Sequence, residues 1–190
     1  MDGPFNRLRK SIIYDHNDRP NLDELKQRIG FLTSGGYSQG MNAAIRSIVR
    51  MSIHQGCIPY AVLGGYQGLV EGGTSIVEFG WDDVAYILAD GGTIIRSSRC
   101  QEFMERSGRL KAARNLVKLG IDKLIVIGGD GSLTGADLFR NEWDSLLTEL
   151  KEMGQINDEE QSKHSSLMVV GLVGSIDNDM FGTEMTIGAD

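Results

Sequence analysis

Hydrophobic residues in this chain fall into short continuous runs that end in glycine, separated by stretches where they recur at helical spacing. "RIGFLTS" (28–34) reads as a first strand ending in turn residues. Met41, Ala44, Ile45, Ile48, Val49 and Ile53 then share one face of a helix, with Gly56 as its stop. "CIPYAVL" (57–63) predicts a second strand and "GGYQGL" (64–69) a glycine-rich turn. "WDDVAYILAD" (81–90) predicts a short helix ended by Gly91 and Gly92, and "RSGRLKAARNLVKLG" (106–120) a helix stopped by Gly120. "KLIVIGG" (123–129) carries a continuous apolar run after Lys123, the pattern of a central parallel strand covered on both faces. A long helix follows, with Leu133, Leu138, Phe139, Trp143, Leu146, Leu147 and Leu150 as its buried stripe. "QINDEEQSKHSS" (155–166) is a polar interruption before a further buried strand, "LMVVGLVG" (167–174). Residues 1–27, with Arg7, Arg9 and Lys10, read as a polar lead-in outside the core.

Composition sharpens this picture in one respect: 25 glycines stand against 3 prolines, and the glycines sit at the ends of apolar runs. That placement suits the many tight strand-to-helix joints of a parallel α/β fold. The 190 residues suffice for one domain or part of a larger one. A net charge of −7 argues against a nucleic-acid surface, while leaving room for small phosphorylated ligands held by a few local arginines. Cys57 and Cys100 have no metal-ligand spacing; a disulfide stays open, with reduced thiols the simpler reading. No apolar run approaches the length of a membrane span, and the N-terminus lacks the apolar core of a signal peptide. A cytoplasmic protein is expected.

Ligands of parallel α/β sheets collect beyond the carboxyl ends of the strands, and three segments bring chemistry there. In "LTSGGYSQGMNAA" (32–44), Gly35 and Gly36 let backbone N–H groups approach a phosphate, with the following helix adding its positive end; the plainer reading is a bare tight turn. In "IGGDGSLTGA" (127–136), Asp130 between glycines at a helix start suits a magnesium ion held against nucleotide phosphates. Ser132 as an ordinary N-cap is the competing explanation. "GSIDND" (174–179) offers Asp177 and Asp179, which in extended chain would face one side and suit proton abstraction or metal binding; a solvated Asx-rich turn would look alike. "IIRSSRC" adds Arg96 and Arg99 to balance phosphate charge, unless they are simply solvated.

In this order and spacing, "LTSGG…GMNAA", "GYQGLV", "RCQEF", "GRLKAARNLVK", "VIGGDGSLTGA" and "VGLVGSIDND…GT.MTIG" resemble the ATP-dependent 6-phosphofructokinases. The likeness runs from about Arg28 to Asp190 and is to the N-terminal half of the long eukaryotic type. It implies a Rossmann-like parallel sheet with flanking helices, with residues 28–190 as an ATP-binding domain truncated before most of the sugar-phosphate subdomain. It implies transfer of the γ-phosphoryl group of ATP to the 1-hydroxyl of fructose 6-phosphate, with Mg2+. Carried over by motif, Gly36, Arg99, Cys100, Gly129, Asp130, Gly131 and Ser132 would hold ATP, with Asp130 at the metal. Ser175, Ile176 and Asp177 would meet the sugar phosphate, with Asp177 as the base. Pyrophosphate-dependent relatives carry aspartate at the position of Gly131 and lysine at that of Gly174, so glycine at both favours ATP. A homotetramer or mixed oligomer is implied for the full-length enzyme, and Arg46 and Arg50 match arginines that bind a phosphorylated effector in bacterial members.

Two departures qualify the resemblance. Tyr37 stands where the family nearly always has aspartate, which removes a charge and adds bulk beside the phosphates. The chain also stops after an acidic cluster without a closing helix, and is expected to bind nucleotide but not to turn over alone. The alternatives are a non-catalytic nucleotide-binding or regulatory fragment of such an enzyme, and a diacylglycerol- or NAD-kinase-type protein sharing the "GGDG" turn. The latter lack "SIDND" at this spacing.

Overall fold

A computed structural model describes residues 27–189, so the lead-in reading of residues 1–27 lies almost wholly outside the described residues. Five strands form one sheet: β1 (Arg28–Ser34), β2 (Ile58–Val62), β3 (Ile76–Glu78), β4 (Ile121–Gly128) and β5 (Met168–Val173). Their order is β3-β2-β1-β4-β5, with β1, β2, β4 and β5 mutually parallel and β3 antiparallel on its edge. The helices are α1 (Met41–His54), α2 (Tyr66–Glu71), α3 (Gln101–Met104), α4 (Arg106–Leu119), α5 (Asp130–Glu152) and α6 (Asp158–Lys163).

Alternation along the central strands divides the core in two. Leu32 of β1 and Leu124 and Val126 of β4 point to one face, where α2 to α5 cover them with Leu69, Leu116, Phe139, Trp143 and Leu147. Phe31 and Ile127 point to the other, beneath Met41, Ile45, Ile48 and Val49 of α1. A parallel sheet needs both faces covered, and the period of two in the strands meets the period of 3.6 in the helices to do so. Phe139 and Trp143 of α5 pack edge to face, 5.5 Å between ring centroids, and the Trp143 Nε1 donates to the His164 carbonyl at 2.8 Å. Each such side chain contributes up to about 3 kcal/mol by burial, which explains why this stripe fixes the course of α5.

Several expectations are corrected. "GGYQGL" is not only a turn, because α2 begins at Tyr66 behind Gly65, whose φ is 63°. "WDDVAYILAD" makes two 3-10 turns, Asp82–Val84 and Ile87–Ala89, rather than a helix. Only Val84 and Ile87 are buried in them, too little apolar stripe to hold a longer helix on the core. The polar interruption contains α6, started by Asn157 and Glu160 in a reciprocal capping box. β5 is an edge strand: Met168 and Val170 are exposed, so it is not the buried strand its apolar run predicts. In the stripe of α5, Leu138 is exposed, while Ala136 takes a buried place. Among the described residues, no helix is long and apolar enough to cross a membrane.

Candidate functional site

β1, β4 and β5 run parallel, so their carboxyl ends reach the same rim, and each opens into a glycine turn there. After β1, Gly35 sits at φ 93° and Gly36 has no neighbour within 4 Å of a Cβ position. α1 starts only at Met41, behind a left-handed Gly40, and Ser38 to Met41 are not among the cleft walls.

After β4 the turn is tighter. α5 begins at Asp130 with Gly129 in the N-cap position and no side-chain cap, so the competing explanation of Ser132 as an N-cap does not hold. The Ser132 and Leu133 N–H groups already bond the Gly129 carbonyl, and the Ser132 hydroxyl donates to the Ser34 hydroxyl at 3.0 Å. The uncapped first turn of a 23-residue helix leaves N–H groups and a positive dipole end at the rim. Gly128 is obligatory in this packing: a Cβ there would lie 2.4 Å from the Ser34 carbonyl oxygen.

After β5, Gly174 forms an isolated parallel bridge with Ile187, and the loop between them carries the acidic cluster. The stretch is not extended, as the two-residue spacing of the aspartates suggested, because Asn178 lies between them at φ 49°. Asparagine tolerates that region and here also ties the loop, its Nδ2 donating to the Glu184 carbonyl and its Oδ1 accepting from the Thr186 N–H at 2.9 Å. Ser175 Oγ donates to Asp179 at 3.3 Å and accepts from the Asp177 N–H at 3.3 Å. Asp179 thus reaches Asp177 only through Ser175. The Asp177 carboxylate has no hydrogen bond or ion pair among the described residues, and is exposed.

A fourth wall comes from the segment after the 3-10 turns. Arg99 is exposed and its guanidinium is unpaired among the described residues; Cys100 caps α3, its sulfur accepting from the Phe103 N–H at 3.3 Å. The Phe103 ring stacks on Tyr66 with centroids 4.1 Å apart, and the Tyr66 hydroxyl donates to the Ser132 carbonyl at 2.7 Å. Burial pushes the Tyr66 phenol well above its usual pKa, so it stays a donor. Arg109 is buried and bidentate on Glu142, at 2.7 and 3.2 Å, and also donates to the Phe103 and Met104 carbonyls.

These four walls enclose a single cleft of about 1040 Å³. Gly36, Arg99, Cys100, Gly129, Asp130, Gly131, Ser132, Ser175, Ile176, Asp177 and Asp179 all line it, together with Tyr37. Arg96 does not. Arg46 and Arg50 lie on α1; the Arg50 guanidinium sits 4.4 Å over the Trp81 ring, and both arginines have a buried Nε without a hydrogen-bond partner. The sequence reading missed the aromatic pair Tyr66–Phe103, the Arg109 tether and Asn178. For Asn178 a signal existed, since asparagine between two acids is a common left-handed turn residue.

The donor set suits magnesium under one condition. Among the described residues no group of three His, Cys, Asp or Glu side chains forms a protein cage for a metal. A lone Asp130 at an uncapped helix start matches the way Mg2+ is held by one or two carboxylates while substrate phosphates and water fill its octahedron.

Residues 28–190 match the phosphofructokinase family profile. The chain is 62% identical over 162 residues to the platelet-type ATP-dependent 6-phosphofructokinase of Rattus norvegicus, covering 85% of this chain and 21% of that protein. It is 60% identical over 162 residues to the muscle-type enzyme of Homo sapiens, with the same coverage of each. The phosphofructokinase structure from Saccharomyces cerevisiae superposes with a TM-score of 0.85 at 55% identity, over 86% of this chain and 22% of that one. The chain thus spans about a fifth of the length of these relatives, 21% and 22%. The chain belongs to the phosphofructokinase family.

Proposed function

We propose that this segment is the nucleotide side of an ATP-dependent 6-phosphofructokinase, which transfers the γ-phosphoryl group of ATP to the 1-hydroxyl of fructose 6-phosphate. The carrying observation is that Asp130 and Asp177 open into one cleft with the unpaired Arg99. Gly36, Gly129 and Gly131 hold the phosphate tail through backbone donors, Ser132 lines it while fixing the turn through Ser34, and Arg99 and Cys100 line the nucleotide. Asp130 would hold Mg2+, which when bound would supply positive charge against the phosphates. Ser175 and Ile176 meet the sugar phosphate. Asp177 accepts the hydroxyl proton as the oxygen attacks phosphorus, and its unpaired carboxylate is available for this. The proposal includes an oligomer, a tetramer in the full-length enzyme, allosteric control and a cytoplasmic location.

The geometry at two glycines supports ATP as donor. A Cβ at Gly131 would meet nothing within 4 Å, so a side chain there would project into open cleft where the nucleotide passes. At Gly174 a Cβ would press on Met41 and Ile127 at 3.2 and 3.3 Å, leaving no easy room for a lysine.

Replacing the corresponding segment of the yeast enzyme with residues 28–190 tests the reading directly. The chimera should produce fructose 1,6-bisphosphate from MgATP, and Asp177→Asn should lower kcat by about 10³ with the KM for ATP kept. A chimera unaffected by Asp177→Asn would end the assignment of the base.

A further inference from the structure

Ser97 forms no wall of the cleft, yet its hydroxyl donates to the Gly35 carbonyl at 2.6 Å. Gly35 and Gly36 do line the cleft. None of the described peptide bonds is cis, and in a planar trans peptide the carbonyl of one residue and the N–H of the next point in opposite directions. Drawing the Gly35 carbonyl towards Ser97 therefore turns the Gly36 N–H to the other side. Little else would fix this choice. Gly35 sits at φ 93°, a Cβ at Gly36 would meet nothing within 4 Å, and a peptide between two glycines rotates at small cost. In the opposite orientation a carbonyl oxygen, not a donor, would face an incoming phosphate.

Ser97 is itself held in place. The preceding Arg96 has φ 62°, a region that residues with a Cβ seldom enter. Its carbonyl accepts from the Thr33 hydroxyl at 2.8 Å, and the Ile95 carbonyl accepts from the Gly64 N–H at 2.8 Å. The tip of β1 thus sets Arg96, and the next residue sets the turn that follows β1.

We propose that Ser97 is a positioning residue for the phosphate tail of a nucleotide, its hydroxyl selecting the Gly35–Gly36 peptide orientation in which the Gly36 N–H donates. This deepens, and rests on, the reading of the cleft as a MgATP site. The test compares the chain with its Ser97→Ala and Ser97→Thr variants by calorimetric titration of MgATP, magnesium triphosphate and adenosine. Ser97→Ala should weaken MgATP and magnesium triphosphate about tenfold, leave adenosine and the melting temperature unchanged, and be rescued in Ser97→Thr. Full affinity in Ser97→Ala would overturn the proposal. In the ligand-free protein, the Gly35 carbonyl and Gly36 amide resonances should move in Ser97→Ala and stay in Ser97→Thr; unmoved resonances would also overturn it. If the parent chain bound no MgATP, the functional reading would fall while these resonances still decided the role of Ser97.

Discussion

Ser132 at the start of α5 donates to Ser34 at the end of β1 across 3.0 Å, joining two glycine turns that lie 98 residues apart in sequence. The two strands below them are already paired in register, Ser34 beside Gly128, so the bond fixes the turns rather than the sheet. Ser132→Ala should therefore cost about 1 kcal/mol of stability or less, while MgATP affinity falls several-fold. Denaturant melts beside a nucleotide titration measure both; a loss of stability without loss of affinity would make the bond purely structural.

Gly65 and Gly131 should respond oppositely to a single methyl group. At Gly65, φ is 63° and a Cβ would lie 2.6 Å from the Thr33 carbonyl oxygen, so Gly65→Ala should cost about 3 kcal/mol or more. Gly131→Ala meets nothing and should leave stability unchanged or slightly raised. Gly131→Asp should also fold, since an acid suits the first turn of a helix, but it should abolish MgATP binding. Thermal melts and titrations of the three variants check this.

Tyr37 is exposed and lines the cleft, so its replacement should not disturb the core. Tyr37→Asp should raise MgATP affinity at constant melting temperature, and Tyr37→Gly separates the removal of bulk from the gain of charge. No gain in either variant would show that the cleft tolerates the phenol.

Acid should destabilise the chain through His164 before it does so through Glu160. Burial holds the His164 imidazole below its usual value of 6.5, against the opposing pull of Asp122 and Glu160, with Lys163 and Lys123 adding to the lowering. The unfolded chain then binds the proton more readily than the folded one, so this contribution is complete above pH 6.5 and declines as pH falls below it. A hydrogen bond from Lys118, then one from the Asn157 backbone, lowers Glu160 below 4.5, and its contribution is lost as pH falls below that value. His164→Leu should flatten the first decline in a pH series of melts and leave the second.

Much of this arrangement was legible in the sequence because glycine position and apolar period report on backbone geometry directly. "KLIVIGGDG" predicts a central strand running into a helix, and β4 and α5 follow it. That Asp130 and Asp177 share one rim was also legible, since strand order brings the ends of β4 and β5 together, whereas Arg96, expected beside Arg99, lies off the cleft. What pattern could not supply was whether an apolar run is covered. β5 reads as buried, yet it takes the edge and leaves Met168 and Val170 exposed. Leu138 fits the stripe of α5 by period but faces the cleft. The Arg109–Glu142 pair likewise depends on how α4 lies against α5, which spacing along either helix does not reveal.

The proposed function requires the rim of the sheet to hold a triphosphate tail through backbone donors and a magnesium ion on Asp130. Calorimetric titration of the chain with MgATP, repeated with EDTA and with Asp130→Asn, tests it most directly. One saturable site is expected on the parent chain, weakened at least about tenfold by either change. Binding that is absent in the parent chain, or that survives both changes undiminished, would contradict it.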